Sequence, residues 1–219
     1  MSSATQLTAG LAAIDFAFPE RMQSQLLSFL DLLSKWNRTY NLTAIRDPAA
    51  MVTQHLIDSL VVLPNICQLV LTTRRQNSEV SFRLADVGSG AGLPGIPLAL
   101  ACPEWKVSLI ETVDKKSAFQ RQVKAELKLD NLTVLNTRVE QVAAASFDAV
   151  ISRAFADLAD FVNLAGHLIT QNGYLLAMKG ALPHQEIARL PAAWQVEASI
   201  PIAVPGLDAQ RHLVVLRKV

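Results

Sequence analysis

The chain has 219 residues, 51% of them hydrophobic, and a net charge of +1: one ordinary domain, or one with an extension, with enough apolar mass for a core. No run of 18 apolar residues is free of charge or proline, and the start, MSSATQLTAGLAAIDF, lacks a basic segment followed by an apolar block, so neither a membrane span nor a secretory signal is expected. Two cysteines, Cys67 and Cys102, are too few for a disulfide framework or a zinc site and fit a reducing cytosol, while the small net charge means that nucleic acid would need a local basic patch.

Residues 20–38 place Met22, Leu26, Phe29, Leu30, Leu33 and Trp36 at helical spacing, with charge on the opposite face. A second helix opens with Asp47 as N-cap and Pro48 at its first position, and runs to about Leu63, where Pro64 is expected to stop it. The polar stretch TTRRQNSEVS (72–81) marks a boundary, dividing a helical extension, 1–78, from a second unit, 79–219. Short apolar runs of strand length follow at 82–87, 106–111, 132–136, 147–152 and 173–179, separated by stretches of helical spacing such as 117–128. Alternation of this kind implies an α/β fold with a mostly parallel sheet covered on both faces. The final runs, QVEASIPIAV and RHLVVLRKV, have no helix between them and are expected to close one edge as an antiparallel hairpin.

The stretch LADVGSGAGLPGIP (84–97) ends the first strand with Asp86, Gly88, Gly90 and Gly92. In an open α/β sheet, ligands bind beyond the carboxyl ends of the strands, where this loop lies. A dinucleotide site wants G-x-G-x-x-G, and here the third glycine falls one residue early; no Gly-Lys-Ser/Thr follows, so a phosphate loop is excluded. A carboxylate at Asp86 would repel a pyrophosphate and favour a cationic ligand. S-adenosylmethionine carries an ammonium and a sulfonium and no phosphate, and fits better. Glu111 ends the second strand, 19 residues past Gly92, where an acid can accept both ribose hydroxyls; taken alone, it would read as a solvated strand end. After the third strand, Thr137 and Glu140 have the spacing of a capping box, which would pin a loop offering Val139 and Glu140 to an adenine edge.

The loop DVGSGAGLPGIP, with NRTYNLTAIRDP and HLIDSL upstream and SRA and MKG downstream, resembles the bacterial small-subunit ribosomal RNA methyltransferase G family, also known as glucose-inhibited division protein B. The resemblance runs from about Leu26 to Lys218; its glycine loop is shared by many methyltransferases, whereas WNRTYNLT is far more specific. It implies a Rossmann-like class I methyltransferase fold and an enzyme that uses S-adenosylmethionine to methylate N7 of one guanosine in the decoding-region loop of 16S RNA. By the same resemblance, Gly88 and Leu93 belong to the cofactor loop, Val139 and Glu140 to the adenine side, and Arg153 to the segment after the fourth strand.

The residues accommodate that chemistry. ISRAF (151–155) replaces the Asn/Asp-Pro-Pro-aromatic turn that amine methylases carry, and Cys67 and Cys102 read as packing residues rather than the nucleophile a pyrimidine C5 methylase needs. Guanine N7 has a free lone pair, so no general base is required and positioning supplies the acceleration. Arg153 could hold the cofactor, the RNA or guanine O6, or could pair with Asp157; Lys179 could meet RNA or be a solvated strand end. Two basic clusters could neutralise phosphates: Lys115, Lys116, Arg121, Lys124 and Lys128, and Lys35, Arg38 and Arg46. Either could equally be a solvated face. Trp36 fits the apolar stripe, Tyr40 and Asn41 could contact a base or close a turn, and no histidine has metal spacing. The leading expectation is a soluble, cytoplasmic, monomeric 16S RNA methyltransferase with no membrane partner and no metal. A small-molecule methyltransferase and a non-catalytic cofactor-binding regulator stay open as alternatives. A nicotinamide-dependent oxidoreductase fits least.

Overall fold

A computed structural model describes residues 2–73, 81–153, 155 and 157–219. Seven strands form one sheet: β1 (Arg83–Val87), β2 (Lys106–Glu111), β3 (Leu132–Asn136), β4 (Phe147–Ser152), β5 (Ile169–Lys179), β6 (Trp194–Pro201) and β7 (His212–Lys218). Their order is β3-β2-β1-β4-β5-β7-β6. The first five are parallel, and β7 runs antiparallel to both β5 and β6, which closes the edge as the hairpin pattern implies. The strand order reverses between β1 and β4, leaving a crevice at their carboxyl ends.

Among the described residues, six helices accompany the strands or precede them: α1 (Ser3–Ala12), α2 (Glu20–Tyr40), α5 (Leu63–Thr73), α6 (Gly95–Ala101), α7 (Asp114–Leu127) and α8 (Leu158–Ala165). Two short pieces, α3 (Pro48–Met51) and α4 (Asp58–Leu60), flank a π-helical stretch, Val52–Ile57, and α9 (His184–Ile187) follows β5. Asp47 caps α3, its carboxylate accepting from Ala50 N at 2.7 Å, as its position before Pro48 suggests. Pro64 does not end the second helix. It sits in the first turn of α5, where a missing N–H costs nothing, so the chain passes through a short turn and continues as helix. Pro48–Leu71 is thereby long and apolar enough by composition to span a membrane, yet Val52, Leu56, Leu60, Leu63 and Ile66 are buried in the protein's own core. The boundary between 78 and 79 lies outside the described residues.

Each sheet face has its own core. Leu84, Leu109 and Leu176 join the helices of the amino-terminal extension on one face; Ala85, Val150 and Leu175 pack with Phe161 and Val162 of α8 on the other. Alternation along each strand divides the residues this way. The extension is thus built into the main core. Helices α2 and α7 lie antiparallel: Gln25 bonds Leu127 O at one end, Trp36 meets Phe119 with ring centroids 5.6 Å apart, and Lys115 Nζ donates to Tyr40 O at the other. Asn41, at φ 50°, ends α2 in the left-handed conformation and so closes the turn, while Tyr40 stays exposed against Trp36.

Candidate active site

Gly88, Gly90 and Gly92 all have positive φ, at 68°, 58° and 83°, which explains a glycine at each position. Their tasks differ. Gly88 lies at the tip of β1, donates to Ile110 O at 3.0 Å and forms part of the crevice wall. Gly90 is tied down: its N–H donates to Glu111 Oε2 at 2.8 Å, and its carbonyl accepts from Gln120 Nε2 at 2.8 Å. Gly92 faces inward, where an added Cβ would sit 2.2 Å from Cδ1 of the buried Ile96. Leu93 is likewise buried in the core. Of these loop residues only Gly88 lines the crevice; Gly90, Gly92 and Leu93 shape the loop from behind. Gly92→Ala is therefore expected to cost about 2–4 kcal/mol of stability through overpacking and backbone strain, measured by urea denaturation, with a smaller loss of cofactor affinity than any change at Gly88.

The crevice has a volume of about 420 Å³, within the ~300–1,000 Å³ typical of ligand sites. Val87, Ile110, Val139, Phe155 and Leu164 give it an apolar wall, and Glu111, Thr112, Thr137 and Glu140 a polar one. Glu111, Val139 and Glu140 all line this one crevice. Glu111 is 5% exposed, and its second oxygen accepts from Val113 N at 2.9 Å, so one carboxylate fixes the glycine loop and the start of α7 together. Each oxygen retains a second acceptor position. The turn that presents Val139 and Glu140 is made differently from the expected capping box. Arg138 precedes the short 3₁₀ turn Val139–Gln141 with no side-chain cap, and Thr137 Oγ1 donates to Gln141 Oε1 at 2.6 Å. A turn this short has too few free amides to need reciprocal capping.

Asp86 is elsewhere. It is fully buried beneath the loop, its Oδ2 accepting from Gly95 N at 2.8 Å where α6 begins, and its Oδ1 has no partner. The pleat explains this: Val87 points toward the crevice, so its neighbour must point to the opposite face, with Leu84. Burial pushes the Asp86 carboxyl up to about 7, the Gly95 bond and the charge of Arg153 pulling the other way. A direct electrostatic contact between Asp86 and a cationic ligand therefore gives way to a structural role. The folded state holds the proton more tightly than the unfolded chain, so the stabilisation is complete below about 4 and is lost as the pH rises through about 7. Asp86→Asn removes that slope. Its stability relative to wild type is expected to rise by about 2–4 kcal/mol between pH 4 and pH 8, in urea titrations at both values.

Arg153 lines a second cavity of about 280 Å³ beside the crevice, together with Asp58, His55, Gln54, Met178 and Arg211. Its Nη1 donates to Asp58 Oδ2 at 3.0 Å and to Gln54 O at 3.1 Å, so its ion-pair partner is Asp58, 95 residues away in sequence, and not Asp157. Asp157 caps α8 through Ala159 N and pairs with Arg189 at 2.8 Å. Arg211 Nε meets the other oxygen of Asp58 at 2.8 Å. Burial, then the Arg153 charge, pushes the His55 imidazole down to about 4, so it is neutral at pH 7. Lys179 is no solvated strand end: its side chain is 11% exposed and pairs with Glu186 at 2.7 Å while donating to Phe155 O.

The other basic candidates lie at the surface. Arg38, Lys115 and Arg121 are exposed, Lys116 and Lys124 half-buried, and the Lys115–Tyr40 contact joins the end of α2 to the start of α7 in one face. Gln120 carries no motif and escapes sequence reasoning, although it is fully buried and holds both Ser89 Oγ and Gly90 O at 2.8 Å. Arg211 is missed for the same reason, and Asp58, although it lies in the HLIDSL stretch, gets no role from the sequence because its partners are far away in it. Cys67 and Cys102 are free thiols, one half-buried and one buried. Among the described residues no group of three or more His, Cys, Asp or Glu side chains could hold a metal ion.

A model of the family described as rRNA small subunit methyltransferase G matches residues 22–214. The chain belongs to the rRNA small subunit methyltransferase G family. It is similar to the ribosomal RNA small subunit methyltransferase G of Aromatoleum aromaticum, at 52% identity covering 100% of both chains. That of Nitrosospira multiformis is 50% identical over 100% of this chain and 99% of the relative. Among solved structures the fold is similar to a glycopeptide N-methyltransferase complexed with S-adenosylhomocysteine, with a TM-score of 0.54 and 15% identity over 69% of this chain and 87% of the other. Methyltransferase G membership and the sheet order together establish a Rossmann-like methyltransferase fold with an antiparallel edge.

Proposed function

We propose that this chain transfers a methyl group from S-adenosylmethionine to N7 of one guanosine in 16S RNA of the small ribosomal subunit, acting as a cytoplasmic monomer with no membrane partner. The observation that carries this reading is the crevice at the carboxyl ends of β1, β2 and β3, walled by Gly88, Glu111, Val139 and Glu140, in a chain of the methyltransferase G family. Residues 1–78 act as a helical extension to the methyltransferase unit 79–219. The donor, when bound, supplies a methyl on a sulfonium; the N7 lone pair forms the new C–N bond as the C–S bond breaks, leaving a neutral thioether and a cationic 7-methylguanine. No proton moves, so the chain needs no base, only alignment.

Glu111 accepts from the ribose hydroxyls, and the wall of Ile110, Val139 and Leu164 covers the adenine. Asp86, Gly90, Gly92 and Leu93 serve the cofactor by fixing the loop, and Arg153 guards the side where the acceptor enters. RNA phosphates are met by Arg38 and Lys115 where the end of α2 meets the start of α7, and by Lys116, Arg121 and Lys124 along α7, whereas Lys179 is taken up by Glu186 and Phe155 O. The test is to incubate the protein with labelled S-adenosylmethionine and unmethylated small subunits, naked 16S RNA, or neither. Label on guanine N7 alone is the expected result. Cofactor binding with no labelled RNA would overturn it and leave a non-catalytic regulator.

A further inference from the structure

We propose that the second cavity receives the flipped-out target guanine, and that Asp58 selects guanine over adenine there. The inference rests on the methyl transfer proposed above and adds to it the residue that reads the base. Its position fits: Lys179 Nζ in the wall of the cavity donates to Phe155 O in the wall of the crevice at 3.1 Å, which sets the two side by side. At about 280 Å³ the cavity lies near the small end of ligand sites, the scale of a nucleobase rather than a whole cofactor.

An enzyme that acts on a base takes it out of the stack and reads its Watson–Crick edge. For this reaction that edge is the one available, because a donor placed on N7 would occupy the lone pair that must attack. Guanine shows an acceptor, O6, beside two donors, N1–H and N2–H. The cavity shows the complement: a guanidinium beside a carboxylate, Arg153 and Arg211 flanking Asp58. The Asp58 side chain is 3% exposed and accepts one arginine bond on each oxygen, and each carboxylate oxygen has a second acceptor position. Adenine would set its N6 donor against the arginine and its N1 lone pair against the carboxylate, leaving both unpaired. His55, 4% exposed, stands in the cavity wall with its Nε2 against Thr43 Oγ1 at 3.0 Å. Met178 supplies an apolar surface against which a base can lie.

The test uses the full chain labelled with ¹³C-methyl methionine, saturated with S-adenosylhomocysteine and titrated with guanosine 5′-monophosphate or adenosine 5′-monophosphate. A Met178→Leu variant assigns the Met178 resonance among the four methionines. Guanosine monophosphate is expected to move that resonance, and adenosine monophosphate to bind about tenfold or more weakly, the discrimination of one good bidentate base contact. In Asp58→Asn the preference is expected to fall below about threefold, and the KM for RNA to rise about tenfold, with affinity for S-adenosylhomocysteine within twofold of wild type. Should Asp58→Asn fail to fold, the wild-type comparison of the two nucleotides decides alone. Equal binding of both, no shift of Met178 at millimolar guanosine monophosphate, or an unchanged preference in a folded Asp58→Asn would overturn the assignment. Any of these together with normal N7 methylation of 16S RNA would remove the cavity's role and leave the activity standing. Loss of RNA methylation in wild type with the cofactor bound would instead strike the activity.

Discussion

Gly88→Asp is expected to lower the affinity for S-adenosylhomocysteine by about 100-fold or more, equivalent to ~2.7 kcal/mol. Gly88 sits in the crevice wall at φ 68°, so a new side chain enters the ligand's space and adds a charge beside Glu111. Asp tolerates the left-handed region better than most residues, and the stability cost should stay near ~1 kcal/mol. Titration calorimetry and thermal denaturation on the same sample separate the two effects. Unchanged affinity would mean that the ligand does not approach the tip of β1.

Glu111→Ala should be damaging in a different way. The carboxylate holds Gly90 N and Val113 N at 2.8 and 2.9 Å and is nearly buried. Hydrogen bonds to a charged group contribute ~1.5–3 kcal/mol each, and the two amides would lose their acceptor together. A stability loss of ~3 kcal/mol is expected, with nucleoside affinity falling below detection. Glu111→Gln keeps the shape but turns an amide N–H₂ toward one of those donors, so it should fall between wild type and Glu111→Ala in both measurements. If Glu111→Ala lost stability and kept full affinity, Glu111 would be a loop anchor alone.

Strands β2, β3 and β4 begin and end where their apolar runs do in the sequence; β2 and β4, covered on both faces, are largely apolar, and β3, at the sheet edge, is only partly buried. Strand β5 is longer than its apolar run: Thr170, Gln171 and Asn172 hide its first turn of pairing, since they project beyond the covered part of the sheet. Helix α1 was illegible because its three buried residues, Leu7, Gly10 and Leu11, make too narrow a stripe. In the site, Gly88, Glu111, Val139 and Glu140 were readable because each closes a strand or opens the next loop, so topology alone brings them together. The side on which Asp86 lies follows from strand alternation, which motif spacing ignores. The Asp58–Arg153 and Asp58–Arg211 pairs join residues 95 and 153 positions apart, and nothing local marks such partners. Gln120 is hidden likewise, a buried polar side chain whose reason is the loop it holds.

What occupies the crevice at the carboxyl ends of β1, β2 and β3 decides the assignment. Crystals grown with S-adenosylhomocysteine are expected to show its ribose hydroxyls ~3 Å from the Glu111 carboxylate and its adenine against Val139. A dinucleotide bound there in preference, or the cofactor found away from Gly88 and Glu111, would contradict it.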